Sequence, residues 1–277
     1  PIDAGGKPIR IPKNNNDIDP EWRLYARSAG DDKAPILTIL NAIDALKSSK
    51  IGITSNIKIF FEGEEEAGST NLKAHLSNHR DILEDIDIWL FCDGPMHQSR
   101  QPQLVFGVRG VTGMEITVYG AARSLHSGHY GNWAPVPGQI IANLISSMKD
   151  ANGKVLVNGF YDTVEPLSEF ERLELSKIPD VDQQLKKELG LVYTEGEGRS
   201  INESLLLPSL TIKGLSSGNV GKKARNVIPN SATAAIGVRL VKGNDPEDML
   251  DKIEAHIKSQ GFHIVYETPD LNTRRNY

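Results

Sequence analysis

An acidic run, Glu62-Gly63-Glu64-Glu65-Glu66-Ala67-Gly68-Ser69, contains the side chains best suited to chemistry. It follows directly after Ile57–Phe61, a β-branched and aromatic segment that predicts a strand. Asp93 follows a second such segment, Ile88–Cys92, and Asp31-Asp32 precedes a predicted helix. Because open α/β sheets place their chemistry at the carboxyl ends of strands, these carboxylates are expected to converge. Like charges repel unless a cation neutralises them, so the pattern indicates a divalent-metal site.

Solvated surface is the alternative interpretation of a glutamate run, and composition alone favours it. The position of the run counts against this alternative, because a solvated run seldom lies between a hydrophobic strand and a Gly-Ser turn. For Asp31 and Asp93 taken singly, helix capping and turn formation are the alternatives.

The elements around the acidic residues predict a first, α/β domain. Pro35 begins a helix that runs to about Ser48, with apolar residues at helical spacing. A short helix near Asn71 to His79 lies between the two predicted strands. Strand, helix and strand in this order are typical of a parallel α/β sheet.

A different pattern begins after Gly107 and predicts a second domain. Residues 114–119 and 234–240 alternate with period two, and residues 262–267 predict a closing strand. One helix is expected to present Ile141, Leu144, Ile145 and Met148. Another starts at Asp245-Pro246, presents Leu250, Ile253 and Ile257, and stops at Gly261. These elements predict an antiparallel sheet with two helices on one face.

The composition excludes several classes of protein. Thirty-six acidic and 31 basic residues give a net charge of -5 without long single-sign blocks, so nucleic-acid binding is not expected. No apolar run approaches the roughly 18 residues of a membrane span, and residues 1–16 lack the layout of a signal peptide. Cys92 is the only cysteine, so a zinc site would use carboxylates and histidines. Compartment stays open, with the cytoplasm favoured.

Two motif matches do not support other chemistry. Gly214–Gly218 fits the G-x-S-x-G elbow of hydrolases, but neither a following helix nor a parallel sheet is predicted there. Gly221-Lys222 resembles the end of a phosphate-binding loop, but Ser216 and Lys223 stand where glycine and Ser or Thr are required.

Six ordered motifs resemble the co-catalytic zinc metallopeptidase family, which includes carnosinase, dipeptidase V, carboxypeptidase G, aminoacylase and succinyl-diaminopimelate desuccinylase. The motifs are Leu24–Pro35, Glu65–Ser69, Asp93, Leu125–Gly128, Asn226–Pro229 and Val238–Val241. The resemblance covers nearly the whole chain, and the forms around Asp31-Asp32-Lys33 and His126 are most similar to carnosinase-like dipeptidases. It implies that residues 1–107 are part of a catalytic domain with a parallel or mixed sheet. Residues 108–272 would be an α+β lid and dimerisation domain with a partly helical insert at about 164–207, and residues 273–277 would return towards the catalytic domain.

The resemblance also implies a metal site. Asp31 would bridge two zinc ions, or manganese or cobalt, and the Asp31-Asp32 peptide would be cis. Glu66 and Asp93 would be terminal metal ligands. Glu65 would be the general base that takes a proton from the metal-activated water.

Three residues of the second domain match other roles in the family. His126 would hydrogen-bond the oxyanion in the active site of a partner subunit, which implies a homodimer through the lid. Arg239 would bind the terminal carboxylate of a short peptide, a task suited to a guanidinium group. Asn226 would line the substrate pocket. Without the resemblance, a locally satisfied turn histidine and a surface ion pair are the alternatives for His126 and Arg239.

The chain departs from the family pattern in its metal ligands. The family's upstream His-x-Asp motif and late histidine are absent, so three of the five expected ligands are present and these residues alone should not be fully active. Residues 1–8 read as an internal loop, which suggests a fragment. The expected activity is hydrolysis of dipeptides or short peptides. The alternatives are an N-acyl amino acid deacylase of the same fold and a metal-poor protein that binds peptides or only dimerises.

Overall fold

A computed structural model of the chain describes residues 2–3, 5–94 and 96–277. It divides into two compact units, Pro1–Met96 and His97–Tyr277. The opening loop predicted at 1–8 includes Pro1 and Ala4, and the segment after Asp93 includes Pro95. These three residues lie outside the described part.

The described residues of the first unit form three α-helices, α1 (Ala34–Ser48), α2 (Leu72–Asn78) and α3 (Arg80–Leu83). Shorter turns precede and separate them: 3-10 helices at Asn15–Asp17 and Glu65–Ala67 and a π-helical turn at Ala29–Lys33. Pro35 lies in the first turn of α1, where its missing N–H costs no hydrogen bond. The predictions for α1 and α2 are confirmed.

The two strands predicted in the first unit, at 57–61 and 88–92, are not formed. A strand needs a neighbour that accepts and donates its backbone hydrogen bonds, and no described residue pairs with either segment. Their apolar side chains are accordingly exposed, with Leu90 at 78% and Phe91 at 85%. The expected parallel sheet is therefore absent from the described residues of this unit.

The second unit contains five strands, β1 (Gly110–Tyr119), β2 (Leu125–His126), β3 (Ser209–Ser216), β4 (Val227–Ile228) and β5 (Ser231–Leu240). Three of them form an antiparallel sheet in the order β1-β5-β3, and β2 and β4 form a separate two-stranded ladder. The helices are α4 (Ser127–Tyr130), α5 (Pro137–Ser147), α6 (Glu169–Lys177), α7 (Asp182–Leu189), α8 (Ile201–Ser204), α9 (Pro246–Ser259) and α10 (Leu271–Asn276), with a 3-10 turn at Gly221–Lys223. The predicted fold class, mixed α and β structure with an antiparallel sheet and helices, is confirmed.

One face of the sheet forms the core. Ala234, Ile236 and Val238 alternate on β5 and are at most 1% exposed, as period two requires. Helices α5 and α9 both contact the sheet, so the expectation of two helices packed on it is confirmed. Ser147 of α5 also contacts His256 of α9 through a hydrogen bond of 2.9 Å.

Two details of the second unit differ from the sequence expectation. The buried face of α9 presents Met249, Ile253 and Ile257, whereas Leu250 is only half-buried. Residues 249, 253 and 257 recur every four positions and lie on one side of a helix, and residue 250 lies about 60° from the centre of that face, at its border. The closing strand predicted at 262–267 is not formed, because no described strand pairs with it, although Phe262 and Ile264 still pack against the core.

The segment at 164–207 carries α6, α7 and α8. Ser168 caps α6 and Ser200 caps α8, each in a reciprocal pairing with a glutamate three residues later. None of the described helices combines the length and the hydropathy that a membrane span requires.

Candidate functional site

The acidic run folds into a tight loop held by Glu64. The Glu64 carboxylate accepts hydrogen bonds from the backbone N–H of Asn71, at 3.1 Å, and from its side-chain amide, at 2.8 Å. These bonds, the side-chain bond first, lower the pKa of Glu64. Gly68 ends the turn at a φ of +88°, in the left-handed region that favours glycine. Glu64 is therefore a structural residue, and Glu65 and Glu66 remain exposed beside it.

The charges of the predicted metal ligands act on the carboxyl group of Glu65. Loss of solvation raises the pKa of the Glu65 carboxyl, and the negative charges of Asp93, Glu66 and Asp31 raise it further. All three are the residues predicted as ligands, so the fold brings them within electrostatic range of the predicted base. Glu62 adds a fourth negative charge, and its Oε1 atom is buried without a hydrogen-bond partner in the described structure.

Asp31 reaches this group from the turn that precedes α1. The Asp31-Asp32 peptide is cis, as the resemblance implied. Asp31 and Asp32 have non-helical backbone angles inside the π-helical turn. The sequence expectation that Asp31 lies at a loop-to-helix junction is confirmed.

The four carboxylates of Asp31, Glu65, Glu66 and Asp93 are of the chemical type that binds divalent cations. Carboxylate oxygens are the ligands that hard and borderline divalent ions prefer, and none of Asp31, Glu65, Glu66 and Asp93 forms an ion pair with a described residue. Across the described residues, however, no group of three or more His, Cys, Asp or Glu side chains is placed closely enough to hold a metal ion. The described carboxylates therefore have the right chemistry for a divalent ion but do not form a coordination shell.

His126 and Asn226 are brought together in the second unit by the short β2–β4 ladder. His126 pairs with Val227, and the backbone N–H of Ser127 donates to the carbonyl oxygen of Asn226 at 3.0 Å. The His126 side chain is exposed, and its Nδ1 atom accepts a hydrogen bond from the backbone N–H of Gly128 at 3.0 Å. This histidine is thus held by its own turn, with Nε2 left without a described partner.

Arg239 lies near the other end of β5. It is exposed on the face opposite the core, between Val111 of β1 and Ser209 of β3. Eight residues of extended strand, roughly 26 Å at 3.3 Å per residue, separate it from Ser231 at the beginning of β5, which follows soon after the β2–β4 ladder. The candidate oxyanion donor and the candidate carboxylate-binding residue therefore lie towards opposite ends of β5.

The chain is similar to proteins of known family. Residues 106–264, more than half of the chain, match the M20 family described as a peptidase dimerisation domain. The chain belongs to the M20 peptidase dimerisation-domain family. A Beta-Ala-His dipeptidase of Mus musculus is 27% identical over 245 residues, 86% of this chain and 49% of that protein. A Cys-Gly metallodipeptidase of Schizosaccharomyces pombe is 28% identical over 244 residues, 87% of this chain and 51% of that protein.

Solved structures of M20 peptidases are similar to the chain in fold. The M20 family metallo-carboxypeptidase of Sulfolobus solfataricus aligns with a TM-score of 0.71 and 29% identity, covering 85% of this chain and 54% of that one. Human carnosine dipeptidase 1 aligns with a TM-score of 0.69 and 25% identity, covering 84% and 50%. The resemblance to this metallopeptidase family is therefore confirmed. The chain spans about half the length of the curated relatives it matches.

Sequence reasoning missed Arg109 in this M20 domain. Arg109 lies directly before β1, two residues from Val111, so both belong to the same face of an extended chain. Val111 pairs with Arg239. Its side chain is half-buried, and burial, followed by the positive charge of Arg239, lowers its pKa. Because residues 109, 111 and 113 would share one face of an extended chain, strand periodicity could have placed Arg109 on the open face of the sheet with Arg239.

Proposed function

We propose that the protein is a metal-dependent hydrolase that cleaves the peptide bond of dipeptides or short peptides. The observation that carries this proposal is the grouping of Asp31, Glu66 and Asp93 around Glu65. Its reaction class is supported by relatives named as dipeptidases, which align over 86% and 87% of the chain.

In this proposal Asp31, Glu66 and Asp93 contribute to the binding of two divalent ions per subunit, zinc first and manganese or cobalt as substitutes. When bound, such ions lower the pKa of a water molecule and polarise the substrate carbonyl. Glu65 takes the proton from the attacking water and delivers it to the departing amine. Glu64 keeps the loop in place through Asn71, which leaves the neighbouring carboxylates free for these roles.

The second unit supplies the remaining groups. His126 donates a hydrogen bond to the oxyanion that develops on the carbonyl, Arg239 binds the terminal carboxylate of the peptide, and Asn226 lines the pocket beside His126. His126 and Arg239 lie towards opposite ends of β5, which supports the idea that they serve different active sites. We therefore propose a homodimer in which each lid offers His126 to its partner.

The test replaces the proposed base without changing its size. Glu65→Gln in the purified natural protein should lower kcat for dipeptides by about 10²- to 10⁴-fold, the usual contribution of general-base catalysis, while metal content stays unchanged. Glu84→Gln, the same change at an exposed glutamate of α3's end, is the control and should retain full activity. Full activity of Glu65→Gln would contradict the mechanism.

A substrate panel tests the reaction class separately. Dipeptides with free amino and carboxyl termini should be cleaved faster than N-acylated amino acids. Cleavage of acylated amino acids alone would replace the dipeptidase assignment with a deacylase of the same fold. Absence of hydrolysis of both classes by the metal-loaded natural protein would favour a binding or dimerisation protein.

A further inference from the structure

The His126 ring has a defined hydrogen-bond direction. Its Nδ1 atom lies 3.0 Å from the backbone nitrogen of Gly128, which is a donor. A ring nitrogen that accepts a hydrogen bond must have a free lone pair, so the neutral ring carries its hydrogen on Nε2. This backbone contact therefore selects one of the two tautomers of His126.

Glycine at position 128 is needed for this contact for a steric reason. A Cβ atom at position 128 would lie 3.0 Å from Cε1 and 3.1 Å from Nδ1 of His126, closer than nine in ten observed Cβ contacts. The backbone of Gly128 lies outside the left-handed region, so an alanine would not be strained by its own φ. Alanine is also favoured over glycine in a helix, and Gly128 lies in α4. The ring of His126 is thus the group that an alanine side chain would disturb.

Two further contacts limit how the ring could escape. The ring centroid of His129 lies 4.7 Å from that of His126, with the planes tilted by 32°. The His126 backbone is fixed by its pairing with Val227 in the β2–β4 ladder. Because His129 neighbours the ring and Gly128 lies beneath Nδ1 and Cε1, a larger residue at 128 must rotate the imidazole or push it away from its donor.

We propose that Gly128 is a positioning residue for His126. Its N–H fixes the tautomer with the hydrogen on Nε2, and its lack of a side chain lets the ring lie against the turn with Nε2–H directed outwards. That the oxyanion accepts the hydrogen bond from Nε2–H rests on the proposed function. The tautomer and the ring position are properties of the turn itself.

The tautomer is tested directly by NMR. The natural protein, labelled with ¹⁵N at histidine, should show an unprotonated Nδ1 and a protonated Nε2 for the neutral form of His126. The resonances are assigned by their loss in His126→Asn. In Gly128→Ala the Nδ1 resonance should shift, whereas Gly107→Ala should leave it unchanged, because a Cβ at Gly107 meets no atom within 4 Å. A hydrogen on Nδ1 in the natural protein would overturn the proposal, whatever its activity.

Kinetics test the positioning role. Gly128→Ala should lower kcat about tenfold with KM changed less than twofold, because a displacement of a few tenths of an ångström misaligns the donor. Its melting temperature should match that of Gly107→Ala. An unchanged kcat together with an unchanged Nδ1 resonance would refute the proposal. If Gly128→Ala fails to fold, the tautomer of His126 in the natural protein still tests the proposal. If the natural protein hydrolyses no peptide, the proposed function fails, while the NMR result stands by itself.

Discussion

At the scale of single residues, two adjacent glutamates of the acidic loop have opposite environments. Hydrogen bonds from Asn71 lower the pKa of Glu64, whereas loss of solvation and neighbouring carboxylates raise the pKa of Glu65. Glu64 accepts hydrogen bonds from both the side chain and the backbone of Asn71, whereas Glu65 has lost solvation and has neighbours of its own charge. Glu64 therefore maintains the loop, whereas Glu65 has a carboxyl group with a raised pKa.

Arg239 provides a test of substrate recognition at this scale. If it binds the terminal carboxylate, Arg239→Ala should lower kcat/KM for a dipeptide by about 10- to 100-fold, the usual effect of losing a charged hydrogen bond. Against the same dipeptide with an amidated C-terminus, the variant and the natural protein should differ by less than about twofold, since the carboxylate is gone.

The control for this experiment is Arg172→Ala, which removes an exposed arginine from α6. It should leave kcat/KM unchanged for both substrates. An equal loss with the amidated substrate would show that Arg239 acts on the structure of the sheet rather than on the carboxylate.

At the scale of elements, α9 shows how a cap sets the buried face of a helix. The Asp245 side chain accepts a hydrogen bond from the backbone N–H of Asp248, and Pro246 occupies the first turn. This start places Met249, Ile253 and Ile257 against the core, and all three are at most 6% exposed. Leu250 lies at the border of the buried face, although it is equally apolar.

Adjacent residues of α9 should therefore differ in their contribution to stability. Met249→Ala leaves a cavity in the core and should lower the free energy of unfolding by about 2 to 5 kcal/mol. Leu250→Ala removes a similar side chain from a half-buried position and should cost about 1 kcal/mol. Urea unfolding of the two variants measures the difference. A larger loss for Leu250→Ala would show that the helix is rotated from the position described.

At the scale of the whole molecule, the two units differ in how completely their predicted strands are paired and their apolar side chains are buried. The second unit closes a core around β5, with α5 and α9 packed on the sheet. In the first unit, segments 57–61 and 88–92 expose apolar side chains that have no described strand partner. The carboxylates that depend on those segments are grouped but do not form a complete metal site.

Metal content is the measurement that tests this scale. After dialysis, the purified natural protein should retain about two divalent ions per subunit, as expected of a co-catalytic site. A chelator should abolish hydrolysis, and added zinc should restore it. Asp93→Asn should lower the metal content, whereas Asp162→Asn, at an exposed aspartate of the second unit, should not. Fewer than about 0.2 ions per subunit, an order of magnitude below the co-catalytic expectation, would favour a non-catalytic protein.

Local signals in the sequence determined the helices and the alternating strands. Pro35, Asp245 and Pro246 mark helix starts because fixed φ angles and side-chain caps act over a few residues. The period of two at 114–119 and 234–240 depends only on which side chains face a core. The order of the acidic and histidine motifs likewise sufficed to predict the peptidase family and its candidate residues.

Tertiary structure decided whatever depends on a partner distant in the chain. A segment such as 88–92 becomes a strand only if another strand pairs with it, and its own residues do not specify that neighbour. Composition likewise could not separate Glu64 from Glu65, because the difference comes from the approach of Asn71. The half-buried position of Arg109 beside the charge of Arg239 also depends on contacts in the folded chain. Pattern and capping are local, whereas pairing, burial and charge environment are set by the fold.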